Sequence, residues 1–304
     1  MRAVRLYAYG GPENLKYELE VPEPALGADA VLIAAAATSV NPIDWKVRSG
    51  ARQKDFPLAL PAILGKDVSG TVRAVGPDVR TFKPGDRVMA LADATYAELV
   101  AVSGAVVTHV PEGLDLIDAA AIPLVALTGE QLVRVAARAE RDQTFIVSGA
   151  LGSVGRATVH TCLKMGVRVI AGVRARQLTA ASVLGVSATL AIDDERAIAS
   201  VGQVDGVLDT VGGETAAKLF ARVKDGGAFA YASMIPEGLA ATNASVKITR
   251  VFARPDAAKV REFADDVRDG KFVLPVSQRL PLQDAAKAHA LVQQGGAGKI
   301  VLVI

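Results

Sequence analysis

The chain has 304 residues, 51% of them hydrophobic and 22% charged, which excludes a disordered segment and is long enough for two buried cores. Its net charge of +2, with both signs interspersed, excludes a basic nucleic-acid-binding surface. One cysteine, Cys162, excludes an internal disulfide; with no charged leader before an apolar stretch and no uncharged run long enough for a bilayer, the expectation is a cytoplasmic protein without a membrane segment.

Met1 to about Ala120 is turn-rich and strand-like. Ala30–Ala34 is a buried strand candidate, and Val68–Val75 is a second, closed by Gly76-Pro77. Gly85–Ala90 starts a third at a glycine turn, and Tyr96–Val100 alternates like a half-buried strand. Pro22, Pro24, Pro42, Pro57 and Pro61 punctuate the connections. This part predicts an all-β, barrel-like domain.

From there to Arg254, strands and helices alternate. The strand candidates are Phe145–Val147, Val167–Arg176 with the two arginines at its end, Ala188–Ile192, Val204–Leu208, Ala228–Ala232 and Val246–Phe252. Alternation of this kind predicts a Rossmann-type, doubly wound parallel sheet. From Asp256 two helical patterns precede a terminal strand, Lys299–Val303, which is expected to return to the first domain. The expected domains are therefore 1–120 with 256–304, and 121–255.

The segment Thr144–Gly155, TFIVSGALGSVG, reads as strand, glycine-rich turn and helix. Gly152 lets the backbone approach a diphosphate, and Gly155 lets the helix pack closely on the sheet. Ala150 stands where the fingerprint has its first glycine. The cofactor-binding candidates here are Ala150, Leu151, Gly152, Ser153 and Val154, at a helix N-terminus suited to anions. An NAD site places an acid at the end of the second strand; here Arg174 and Arg176 stand there, and the next acid is Asp193. Arginine suits a 2′-phosphate, so the cofactor expected is NADPH. Thr210 and Val211 follow the fourth strand and join the candidates on that rim.

These motifs resemble the medium-chain dehydrogenase/reductase superfamily, in its zinc-free quinone oxidoreductase branch. The resemblance is carried by SVNPIDWKVRSG (Ser39–Gly50), LGKDVSGTVRAVG (Leu64–Gly76), FKPGDRV (Phe82–Val88), AAAIPLVALTGEQL (Ala119–Leu132), SGALGSVG, VDGVLDTVGG (Val204–Gly213) and the terminal GKIVLVI. It implies a GroES-like β-barrel-type domain beside the Rossmann domain, NADPH, a homodimer and an active-site cleft between the domains. It also implies that Asn41 lies near the nicotinamide, that Thr128 contacts the cofactor, and that Lys299 lies near the nucleotide or its phosphates. Lys46 departs from the branch, which commonly has tyrosine there. Ala92–Thr95 and Met234–Ala244 depart as well.

Zinc-dependent relatives need cysteine and histidine ligands. Here their places read Val40-Asn41-Pro42 and Gly65-Lys66-Asp67. Reduction of a quinone or an activated alkene needs no Lewis acid, only positioning and a donor to the acceptor oxygen. The catalytic candidates are Asn41, Lys46 and Tyr96, with Lys66 as a further donor. Each has a second reading: Asn41 as a turn former before Pro42, Tyr96 as a core residue with a surface hydroxyl, the lysines as solvated charges. Asp44 and Asp67 read as loop-holding carboxylates, and His109, His160 and His289 as structural residues. The function expected is reduction of a quinone or α,β-unsaturated carbonyl. The alternatives are a 2-enoyl thioester reductase and an NADPH-binding sensor with little turnover.

Overall fold

The computed structural model describes residues 1–304. The chain divides into two units, Met1–Leu124 with Pro255–Ile304, and Val125–Arg254. In chain order the first unit holds β1 (Ala3–Leu6), β2 (Leu15–Glu18), β3 (Ala30–Val40), β4 (Ala62–Ile63), β5 (Asp67–Val75), β6 (Arg87–Leu91), β7 (Leu99–Ser103) and β8 (Val107–His109). The second holds β9 (Thr144–Ser148), β10 (Arg168–Val173), β11 (Ala188–Ala191), β12 (Val204–Asp209), β13 (Val223–Tyr231) and β14 (Lys247–Arg250). β15 (Val276–Pro281) and β16 (Lys299–Val303) belong to the first unit again.

In the first unit β3 is the organising strand. Its start pairs with β7, its middle with β5 and its end with β16, all antiparallel. The path β15-β16-β3-β5-β6-β8 closes over a core of Val31, Ile33, Val68, Val72, Val88 and Val100. β-Branched residues at alternate positions suit a pleated sheet with one buried face. A second core, with Leu6, Val40, Val47, Tyr96, Leu282, Ala288 and Ile300, lies under the helix Ala285–Gln294.

Tyr96–Val100 is not the strand its alternation predicts. The strand runs from Leu99 to Ser103, and Tyr96 precedes it. The reason is pairing: the Val4 N–H donates to the Tyr96 carbonyl, the Tyr96 N–H to the Leu64 carbonyl, and Ala97 bridges Ala3. The segment therefore crosses between sheets with its backbone satisfied by three partners instead of one ladder.

The second unit has the sheet order β11-β10-β9-β12-β13-β14, all parallel. In its own strand count that is 3-2-1-4-5-6, so the winding reverses between β9 and β12. β9 is apolar at successive positions because both faces are covered: Phe145 and Val147 enter one core and Ile146 the other. β13 starts five residues earlier than the pattern predicts, at Val223, because Lys224-Asp225-Gly226-Gly227 hides the strand behind polar and glycine residues. The run Leu116–Ala137 has the length and hydropathy of a membrane span, but it carries Asp118, Glu130 and Arg134, in keeping with the sequence expectation of no long uncharged run, and it is mostly buried in protein.

Candidate active site

At the carboxyl edge of the parallel sheet, β9 ends at Ser148 and the chain turns through Gly149 at φ +66°. The turn is tied by Gly152 N–H to the Gly149 carbonyl at 2.8 Å and Ala150 N–H to the Gly172 carbonyl at 3.1 Å. The helix Ser153–Lys164 then starts at Gly152 with no side chain capping its first turn. A Cβ on Gly155 would overlap the Gly149 carbonyl oxygen, so only glycine lets the helix start this close to the turn. Its leading N–H groups and dipole form an anion cradle. Leu151, Gly152, Ser153 and Val154 lie on that turn and first helical turn, whereas Ala150 is fully buried in the core.

The end of β12 is bolted to the end of β9. Ser148 Oγ donates to Asp209 Oδ1 at 2.6 Å and accepts from the Thr210 N–H at 2.9 Å. Thr210 Oγ1 donates to the Ser148 carbonyl at 2.7 Å. Thr210 thus fixes the switch point, and Val211 beside it is 44% exposed on the rim. Burial raises the carboxyl pKa of Asp209, whose Oδ2 has no protein partner. Thr128 is buried on the helix Pro123–Gln131, next to Gly129, whose missing Cβ admits Ala157 and Thr158 of the following helix.

Beyond β10, Arg174 and Arg176 are both exposed. The turn that carries them is braced, with Ala175 N–H on Asp193 Oδ1 at 2.7 Å and Arg174 N–H on Gln177 Oε1 at 3.3 Å. Asp193 therefore orients the arginine turn through its backbone, a role that its sequence position did not announce. A glycine cradle that a Cβ would close, with two free-standing guanidiniums one strand away, fits a phosphorylated dinucleotide.

The first unit gathers a separate polar cluster that is almost wholly buried. Asn41 caps the helix Pro42–Arg48, with its N–H on Asp44 Oδ2 at 2.8 Å. Its carboxamide does other work. Nδ2 donates to Asp67 Oδ2 at 2.7 Å and Ser39 Oγ at 3.3 Å, and Oδ1 accepts from Lys299 Nζ at 2.6 Å. Ser39 also donates to Asp67, and the Leu124 N–H holds the other Asp67 oxygen at 2.7 Å. Lys299, expected near a nucleotide from the resemblance, is 3% exposed and lies 3.5 Å from Asp67 Oδ2.

Tyr96 is also inside, with no surface hydroxyl. Its OH donates to Asp44 Oδ2 at 3.1 Å and lies 3.0 Å from His289 Nε2. Burial raises the tyrosine pKa and pushes Asp44 up to about 7, the latter aided by the charge of Asp67. Burial also lowers the Lys299 ammonium pKa, with Asp67 and Asp44 opposing. The sequence reading placed Asp44, Asp67 and His289 in structural roles; the fold joins all three to Asn41, Tyr96 and Lys299. No short-range spacing could have shown this, because the members come from the end of β3, from β5, from the segment before β7, from β16 and from two helices.

The other donors differ. Lys66 is paired with Asp93 and stacked over Phe56 at 5.1 Å. Lys46 is half-buried, 5.7 Å from the Trp45 ring centroid, and its pKa is lowered, chiefly by burial and then by Arg52.

Residues 27–112 match the family model described as an alcohol dehydrogenase GroES-like domain, and residues 178–302 the one described as a zinc-binding dehydrogenase. Over 172 residues, 56% of this chain, the sequence is 36% identical to a quinone oxidoreductase of Rattus norvegicus. That stretch spans about half of the relative, 52% of its length. Among solved structures, the quinone oxidoreductase from Coxiella burnetii superposes with a TM-score of 0.90 at 26% identity, covering 100% of this chain and 99% of that one. A mycobacterial protein, Rv1454c, solved in complex with NADPH, superposes at 0.83 with 27% identity over 100% of both chains.

Proposed function

The chain belongs to the medium-chain dehydrogenase/reductase superfamily, in its quinone oxidoreductase branch, and on that premise we propose that it is an NADPH-dependent, zinc-independent reductase of quinones or α,β-unsaturated carbonyls. One observation carries the cofactor choice: the exposed pair Arg174 and Arg176, on a braced turn beside the glycine cradle. NADPH supplies the hydride when bound. Gly152, Ser153 and Val154, with Leu151 on the same turn, would hold the diphosphate on backbone N–H groups. Arg174 and Arg176 hold the 2′-phosphate through charge-assisted bonds, and Thr128, Thr210 and Val211 border the rest of the cofactor. Asn41, set by Lys299 and Asp67, keeps a rigid polar wall for the nicotinamide.

Proton supply falls to Lys46. Both Asn41 amide hydrogens and the Tyr96 hydroxyl are engaged inside the cluster, and Lys66 is paired. The ammonium of Lys46 has a lowered pKa, which makes it a readier acid toward an acceptor oxygen. The same engagement of Asn41 and Tyr96 gives the NADPH-sensor reading its one support.

Zinc does not fit the residues present. No group of three or more His, Cys, Asp or Glu side chains is placed to hold a metal ion. The only cysteine, Cys162, is buried on the helix Ser153–Lys164 with its thiol pushed up to about 12. A buried free thiol also suits a cytoplasmic setting. β14 ends the parallel sheet with one edge unpaired, and a second copy pairing there would give the proposed homodimer.

The cofactor assignment is tested by binding. Arg174→Ala is expected to weaken NADPH binding about tenfold or more, as loss of one charge-assisted bond does, and to leave NADH affinity within about twofold. Fluorescence titration of both nucleotides reads this. Unchanged NADPH affinity in the Arg174→Ala, Arg176→Ala double variant would overturn the 2′-phosphate assignment.

A further inference from the structure

We propose that Asp44, Tyr96 and His289 form a buried proton relay, and that it ends at an internal water held between His289 Nδ1 and the guanidinium of Arg48. The hydroxyl of Tyr96 has one proton and two partners, Asp44 Oδ2 at 3.1 Å and His289 Nε2 at 3.0 Å. When Asp44 is ionised the hydroxyl must donate to it. His289 then donates from Nε2, which leaves Nδ1 a bare acceptor. That atom is buried without a protein partner, and so are Nε and Nη1 of Arg48, which are donors. The two residues lie on helices that pack together, and the charge of Arg48 acts on the imidazole. Two buried donors and one buried acceptor on packed helices, none of them with a protein partner, are the polar groups that hold an ordered water.

The heavy-atom distances serve either direction of donation. The water passes a proton to Nδ1, His289 passes its Nε2 proton to the Tyr96 oxygen, and Tyr96 passes its own to Asp44. A solvent proton restores the water, so the sum is one proton moved from solvent to Asp44. The route opens at Gln293, which is exposed, lies one helical turn beyond His289 and accepts from Arg48 Nη2 at 2.6 Å. The cluster then changes from Asp44, Asp67 and Lys299 all charged to one without the Asp44 charge. On the reductase reading, that neutralisation favours negative charge growing on an acceptor beside Asn41.

The groups facing the relay are Asn41, Asp67 and Lys299 at the Asp44 end, and Arg48 and Gln293 at the His289 end, where the charge of Glu13, on the turn Pro12–Asn14 packed against the His289 helix, acts on Arg48. Burial pushes Asp44 up to about 7 and holds His289 down to about 3, so the imidazole stays neutral while Asp44 titrates. The consequence is a tautomer exchange without protonation. In the 15N-labelled full chain, long-range 1H–15N correlations of the imidazole should show Nε2–H at high pH and Nδ1–H at low pH. The midpoint should follow Asp44, near 7. His289→Gln assigns the signal, and Tyr96→Phe should abolish the exchange. One tautomer throughout in the unsubstituted protein, an imidazolium at the low end, or an exchange that survives Tyr96→Phe would each overturn the relay. The titration needs no cofactor or acceptor. A protein that exchanges tautomers and turns nothing over keeps the relay and loses the reductase reading; active turnover with a fixed tautomer does the reverse.

Discussion

Gly155→Val is expected to destabilise the second unit by about 3 kcal/mol and to weaken NADPH binding by about a hundredfold or more. A side chain at residue 155 meets the Gly149 carbonyl oxygen, the Gly149 carbonyl carbon and Ala150 Cα, all of them backbone. Backbone cannot rotate aside as a long side chain can, so the helix must lift from the turn or the turn must open. Either movement breaks the bonds from Gly152 to Gly149 and from Ala150 to Gly172 that shape the cradle. Gly152→Ala is the comparison. Its Cβ has one close neighbour, the Gly149 oxygen at 3.2 Å, and the position is exposed, so stability should fall by less than about 1 kcal/mol. Urea unfolding and a nucleotide titration on both variants read the difference. A Gly155→Val protein that binds NADPH like the parent would contradict the cradle.

Lys299→Met should cost about 3–5 kcal/mol, because it removes the only cation from a buried site that also holds Asp67 and Asp44. The methionine stem fills the volume, so the loss is electrostatic. The variant leaves Asn41 Oδ1 without its donor and Asp67 without its counter-charge. The pH dependence has a definite sign. Asp44 has a raised folded pKa, so its favourable contribution is present at low pH and is lost as pH rises through about 7. Lys299 is one of the groups that hold Asp44 down, so its removal pushes that carboxyl higher and widens the window. The deficit should therefore be larger at pH about 8 than at about 5, and denaturant unfolding at the two values measures it. A pH-independent loss would mean that packing, not charge, explains the effect.

The parallel sheet was legible because its signal is local. Each strand but the polar first half of β13 shows as a short apolar run, and the turn after β9 carries its chemistry within a dozen residues. The position of the arginines after β10 was legible for the same reason. The β-barrel-type fold was legible as strands, but not the path of Tyr96, whose backbone bonds three separate segments. The buried cluster was legible only in part. Asn41 and Lys299 were visible through the resemblance and Tyr96 as a candidate donor, each assigned its own role. That they form one network with Asp44, Asp67 and His289 depends on contacts up to 258 residues apart in sequence. Charge alternation and spacing carry no record of such contacts. The second readings also divided by physics. Lys66 proved to be a paired charge, whereas Asn41, read as a turn former, caps its helix through its backbone N–H and bonds three side chains, Ser39, Asp67 and Lys299, through its carboxamide.

The measurement that tests the central claim most directly is nucleotide oxidation by the purified protein, followed by absorbance with NADPH and separately with NADH. The acceptors are benzoquinone, phenanthrenequinone, an alkenal and a crotonyl thioester. The reductase reading predicts turnover with NADPH, little with NADH, and a quinone or alkenal as the best acceptor. A preference for the crotonyl thioester would make it an enoyl thioester reductase instead. NADPH binding without turnover on any acceptor would contradict the claim in favour of a sensor, and equal use of NADH would contradict the role given to Arg174 and Arg176.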